Sequence, residues 1–298
     1  MGLAFLRHRY RHDLQAYAFL GPALFILLVL MVYPLGRVLR LSFFEAKLRQ
    51  ETWVGLQNYR ELLTSDLFWQ VLWQTTWFTL GSVFFHLVIG MGLALLLHTK
   101  IQARIRNLFR GILILPWLFA PTVAGMIWVL MLSPFGVLNG FLTGIGLLGS
   151  NDTINWLGTL GTSLLSVTAM NVWRAYPFFM VMLLAGLQAI PEDVYEAGDI
   201  DGATPLQKFW YITIPALRGI IVTIVLLDFI WTFRAFDPVY VMTGGGPVNS
   251  SQVLPTLIYF DAFQKLRFGY ASAEAVVMFL ILFTLSVVYV RRAVREIA

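Results

Sequence analysis

The sequence has no cysteine, which removes disulfides, Cys-ligated zinc and thiol catalysis while leaving the compartment open. Charge is also scarce: 12% of the 298 residues are Asp, Glu, Lys or Arg against 58% apolar, and mean hydropathy is +0.75. No soluble core needs so much apolar surface, so the chain falls in the membrane class. No Gly-Lys-Ser/Thr enters a helix anywhere, and the glycine-rich stretch at 243–255 contains no lysine. A Walker loop for ATP is therefore absent, and energy has to come from a partner or an ion gradient. The four histidines, His8, His12, His86 and His98, are scattered, without a His-x-x-x-His or paired-carboxylate motif at depth. A membrane-embedded enzyme would need such a cluster, or a nucleophile with its base.

What the chain does have is apolar runs. They lie at about 17–40, 71–97, 108–132, 162–187, 216–236 and 273–291, each close to the roughly 20 residues that cross about 30 Å of hydrocarbon. None alternates with period two over ten-residue segments, so all six are expected as helices rather than barrel strands. The first run is too long for a signal-peptide core and no small-residue cleavage pattern follows it, so it reads as a span that is kept. Counting Lys and Arg in the loops orients the spans. The N-terminal segment 1–16 (Arg7, Arg9, Arg11), the loop near 98–110, the loop 188–215 with its exit, and the tail carry 12; the three loops on the other side carry 5. Both termini and the loop at 188–215 are expected in the cytoplasm. The opposite loops are short. Asn155-Trp156-Leu157 reads there as an interfacial patch, and Trp69, Trp73 and Trp128 as an aromatic belt.

The loop at 188–215 is the most charged interval between apolar runs, with Glu192, Asp193, Glu196, Asp199 and Asp201 against Lys208. Its pattern predicts helix, turn, helix in water. Pro191 opens the first helix, and its acidic first turn suits the positive end of the dipole. Gly198 and Gly202 break or bend it. Thr204 caps a second helix with Pro205 at its first position. Leu206, Phe209, Trp210 and Ile212 follow at helical spacing, and Pro215 ends the motif.

Here the chain resembles a known family. Glu196-Ala197-Gly198, Asp201-Gly202-Ala203 and Ile212-Thr213-Ile214-Pro215 look like the EAA loop of permease subunits of bacterial ABC importers, with Gly198 where Ala is usual and Ile214 where Leu is common. Several other stretches resemble the maltose-type "F" permease and its glycerol-3-phosphate-type and trehalose-type relatives. These are Leu115-Pro116-Trp117, Leu184-Ala185-Gly186-Leu187-Gln188, Phe236-Asp237-Pro238-Val239-Tyr240, Thr243-Gly244-Gly245-Gly246-Pro247 and Phe268-Gly269-Tyr270-Ala271-Ser272-Ala273. The large outer domain and extra spans of the maltose protein have no counterpart. The resemblance implies an all-α membrane protein with the six-helix fold of type I ABC importer permeases, a transport subunit rather than an enzyme, in the bacterial inner membrane. It implies a second permease of similar size, two ATPase subunits and an extracytoplasmic solute-binding protein, with lipid around the spans. No cofactor is expected in this chain, ATP and Mg being held by the partner ATPase, and no nucleic acid is implied. The coupling residues it points to are Glu192, Glu196, Ala197, Gly198, Asp201, Gly202, Ala203, Ile212 and Pro215.

For a substrate path, ionisable residues inside spans are the first suspects, because burying them in lipid is expensive. Arg174, Asp228 and Arg234 qualify. Asp228, Trp231 and Arg234 follow one another at i+3, and Asn171, Trp173 and Tyr176 sit at matching depth, with Asp237 and Tyr240 just beyond. Aromatic faces beside a carboxylate and a guanidinium suit a neutral sugar. The alternative for the charges is structural pairing, Arg174 with Asp228 and Arg234 with Asp237. A sugar is the expected cargo. A glycerol phosphate or polyol is the rival inside the family, disfavoured because carboxylates lie near both arginines. An ion-coupled secondary transporter using Asp228 is the rival outside it.

Overall fold

The computed structural model describes residues 19–47, 50–99, 102–149 and 151–297. The basic segment 1–16 and Lys100 lie outside these. In chain order the elements are α1 (Phe19–Leu41), the strands β1 (Phe44–Lys47) and β2 (Gln50–Trp53), α2 (Gln57–Leu63), α3 (Asp66–His98), α4 (Ala103–Leu118) and α5 (Pro121–Met131). They continue with α6 (Val137–Gly144), α7 (Ser163–Gln188), α8 (Glu192–Ile200), α9 (Pro205–Phe233), α10 (Asp237–Met242), α11 (Leu254–Tyr259) and α12 (Phe268–Ile297). Among the described residues, five helices are long and apolar enough to cross a membrane, or six if the bent pair α4 and α5 counts as one span.

That bent pair adds a break to the span expected at 108–132. The two helices meet at 96°. The cause is local: Ala120 precedes Pro121, and a residue before proline is pushed out of the helical region. Phe119 and Ala120 are accordingly extended, at ψ 133° and 140°. Hydropathy alone does not register such a break.

A correction concerns Pro215, which does not end the hairpin. It is the second residue after a π turn, Phe209–Thr213, and the helix runs on to Phe233. Pro34 stands in the same relation to the π turn Leu28–Val32 in α1. Proline lacks an N–H and clashes with the carbonyl four residues back; one wider turn, with its bond spanning five residues, removes the conflict and lets the helix continue.

The chain divides into two compact units. One takes the residues up to Ser65 with Ile258–Ile281. In it α1 is exposed along its apolar window, as a lipid-facing helix would be. The segment after α1, read from sequence only as a loop, contains an antiparallel hairpin pairing Phe44 with Trp53 and Lys47 with Gln50. It is the one departure from an all-α fold among the described residues. Asn58 of α2 fastens it, its Nδ2 donating to the carbonyls of Ser42 and Phe44 at 2.9 Å each.

The other unit takes Asp66–Leu257 and Leu282 onwards. Its longest seam is α3 on α7, where Gly90 lets the helices touch: a Cβ there would collide with Phe179 Cβ. One apolar cluster joins Met91, Ala94 and Leu97 of α3 to Met180, Leu183 and Leu187 of α7 and Leu217 and Ile224 of α9. A second joins Phe78, Ala124, Val167, Met170, Val239 and Met242. Trp128 packs on this second cluster, as does Trp156, whose Nε1 donates to Asn139 Oδ1 of α6 at 3.0 Å. Trp69 and Trp73 are exposed. The outward faces are apolar, and the polar groups of the spans turn inward between the apolar clusters: Thr75, Thr79, Ser82, His86, Asn171, Asp228 and Thr232 are all buried. That placement is expected where the solvent is hydrocarbon.

Candidate functional site

A cavity of about 260 Å³ opens where α4 gives way to α5, bounded by α7 and by the end of α9 with the turn into α10. Trp117 and Pro121 border the break. Asn171, Arg174 and Phe178 come from α7, and Asp228, Trp231, Arg234 and Asp237 from α9 and the turn beyond it. Six of the nine residues expected on the path are thus brought together. The other three are placed elsewhere. Trp173 packs on the second cluster, its ring 6.1 Å from Phe119 and 6.0 Å from Trp128. Tyr176 donates its hydroxyl to the Leu113 carbonyl at 3.1 Å. Tyr240 stacks on Phe236, one step back from the cavity wall.

Sequence reasoning missed two parts of this site. Phe178 sits between Trp117 and Trp231, at 6.0 and 5.4 Å, making a continuous aromatic wall. Its i+4 spacing from Arg174 was the available signal. The second part is His86, fully buried on α3. Its Nδ1 is 2.7 Å from Asp228 Oδ2 and its Nε2 is 3.1 Å from the Asn171 carbonyl. No local pattern links positions 142 residues apart.

These contacts replace the structural pairs considered from sequence. Among the described residues neither Arg174 nor Arg234 has a carboxylate within ion-pair distance; Asp228 is held by His86 instead. Two buried atoms on the lining residues, Asn171 Nδ2 and Arg174 Nε, have no hydrogen-bond partner.

The hairpin at 188–215 is built largely as its residues dictate. α8 begins at Glu192 with Pro191 at the cap, one position before the first-turn place expected for it. It ends on Gly202 at φ +73°, with the N–H of Ala203 donating to the Gly198 carbonyl and that of Gly202 to Asp199. This is the two-bond closure a left-handed glycine permits. Gly198 lies inside α8 and does not break it; a Cβ there would sit 3.1 Å from Ile212 Cδ1, so its small size sets the approach of α8 to α9. Thr204 accepts from the Gln207 N–H, and the Gln207 side chain accepts from the Thr204 N–H, a complete capping box with Pro205 next. Lys208 donates to Asp199 at 2.6 Å, and Tyr195 and Thr213 hydroxyls meet at 2.9 Å. The outer face keeps Glu192, Glu196, Ala197, Asp201, Gly202 and Pro215 exposed beside Ile200, Leu206, Trp210 and Tyr211, while Gly198, Ala203 and Ile212 are half-buried.

The sequence model of the family described as "Binding-protein-dependent transport system inner membrane component" matches residues 86–297, which include the hairpin and all of the cavity residues. The chain belongs to this family. It is a multi-pass inner-membrane permease component of an ABC importer, a transport subunit and not an enzyme. The trehalose/maltose transport system permease protein of Thermococcus litoralis is 31% identical over 286 residues, covering 95% of each chain. The sulfoquinovosyl glycerol transport system permease protein of Agrobacterium fabrum is 34% identical over 282 residues, 93% of this chain and 90% of that one. Among solved structures, a bacterial alginate ABC transporter in complex with an alginate pentasaccharide-bound periplasmic protein superposes with a TM-score of 0.82 at 22% identity, over 95% of this chain and 94% of that chain. The importer permease fold agrees with the resemblance carried by the EAA-like loop.

Proposed function

We propose that this subunit forms half of the path for a sugar, and that motion reaches the path from ATPase subunits through the hairpin at 188–215. The relatives that carry sugar names support the cargo, and no observation favours the glycerol phosphate or polyol reading. The secondary-transporter reading would use Asp228, which His86 already holds. A second permease, two ATPases binding ATP and Mg, and an extracytoplasmic binding protein complete the assembly. Both termini and the hairpin face the cytoplasm, as the Lys and Arg distribution favours.

One observation supports the mechanism above others. The helix that leaves the hairpin at Pro205 is the helix whose far end supplies Asp228 and Trp231 to the cavity. A push on Glu192, Glu196, Asp201 or the apolar residues beside them travels along one rod, and the cavity opens alternately to either side. The test is Gly202→Val in cells carrying the complete transport system. A β-branched residue at φ +73° strains the closure of α8. Uptake of labelled sugar should be lost while the chain remains inserted; normal uptake would refute the coupling role.

A further inference from the structure

We propose that the cavity accepts a sugar bearing an acid group, a carboxylate or sulfonate, held by Arg174, Arg234 and Asn171. The inference rests on the sugar-path reading above and adds a charge requirement to it.

His86 fixes the proton count beside the cavity. Its Nε2 faces the Asn171 carbonyl, which can only accept, so Nε2 carries a hydrogen. The 2.7 Å contact between Nδ1 and Asp228 Oδ2 then holds a single proton, whichever atom it rides on. Imidazolium with carboxylate and imidazole with carboxylic acid have the same net charge, zero. Asp228 therefore offers the cavity no net negative charge.

The remaining ionisable groups in the lining are Arg174, Arg234 and Asp237. Two guanidiniums face one carboxylate, which leaves a positive charge over. Hydrogen bonding points the same way. The buried atoms left without partners on the lining are both donors, Asn171 Nδ2 and Arg174 Nε. A hydroxyl can satisfy a donor, yet it brings a hydrogen that needs its own acceptor; an acid group brings oxygens only. Bonds from a guanidinium to an anion are also about twice as strong as neutral ones. In the same lining, the Trp117, Phe178 and Trp231 rings form an aromatic wall that offers apolar faces for the C–H surface of a sugar ring. A bare anion has no use for that wall, and a neutral sugar leaves the charge unmet.

The test uses the full-length chain with its partner subunits in lipid nanodiscs, read by quenching of tryptophan fluorescence. The probes are cellobiose, its uronic acid counterpart cellobiouronic acid, and glycerol phosphate. The expected result is that the acid disaccharide binds at least about tenfold more tightly than cellobiose. Arg174→Gln and Arg234→Gln should each shrink that preference, and Asp237→Asn should enlarge it. Equal binding of the two disaccharides overturns the charge requirement and leaves the sugar path standing. So does a preference that survives all three substitutions. Glycerol phosphate binding as tightly as the acid disaccharide overturns it too, because the ring would then contribute nothing. No response to any probe overturns the sugar path itself.

Discussion

His86 on α3 and Asp228 on α9 meet in the protein interior at 2.7 Å, and the same imidazole reaches the Asn171 carbonyl of α7. One ring thereby ties three helices together at the level of the cavity. In an interior of low dielectric, such a contact is costly to leave half made.

His86→Leu or Asp228→Leu alone should destabilise the protein by about 3–5 kcal/mol, since each strands a buried polar partner. The double substitution should recover part of that loss. Asp228→Asn should be milder than Asp228→Leu, because an Asn amide can donate to Nδ1 while Nε2 keeps its bond to Asn171. Thermal unfolding of the detergent-solubilised protein measures all four. A double variant no better than the worse single one would show that the pair does not act as a unit.

Gly90→Ala should cost about 1–3 kcal/mol, because the added methyl meets Phe179 where α3 and α7 touch. Phe179→Ala in the same chain should bring no relief, because alanine keeps the Cβ and the backbone that the methyl meets, and it opens a void of its own. Rescue of Gly90→Ala by Phe179→Ala in a double-mutant cycle on thermal stability would contradict a contact made at the level of the backbone.

Thr204→Ala removes the hydroxyl half of the capping box and should cost about 1 kcal/mol, confined to the hairpin. Hydrogen exchange at residues 192–210 should rise several-fold relative to that in α3 and α7. Uniform acceleration across the chain would contradict a local role for the cap.

The hairpin was legible because its signals are local: Thr204 with Pro205, Gly202 at the end of an acidic helix, and Pro191 before it. The membrane class followed from the apolar runs alone. The right-angled break at Phe119 and Ala120 was hidden because an average over apolar residues ignores what Pro121 does to its predecessor. Pro215 misled for a related reason, since a π turn can absorb a proline that an α turn cannot. The wall of Trp117, Phe178 and Trp231 and the bond from His86 to Asp228 depend on helix packing, which no spacing along the chain encodes. The charge balance of the cavity changed with that last contact: Asp228 counts with the arginines on paper and with His86 in space.

The break between α4 and α5 also constrains how the protein is made. Non-helical backbone cannot be left facing lipid, and at 16 and 11 residues neither half is a full span by itself. α5 packs on α7 and most extensively on α10, which the ribosome produces only after two more long helices. This stretch is therefore fully packed only once Asp237–Met242 has emerged, so biogenesis cannot proceed as the release of independent segments one after another.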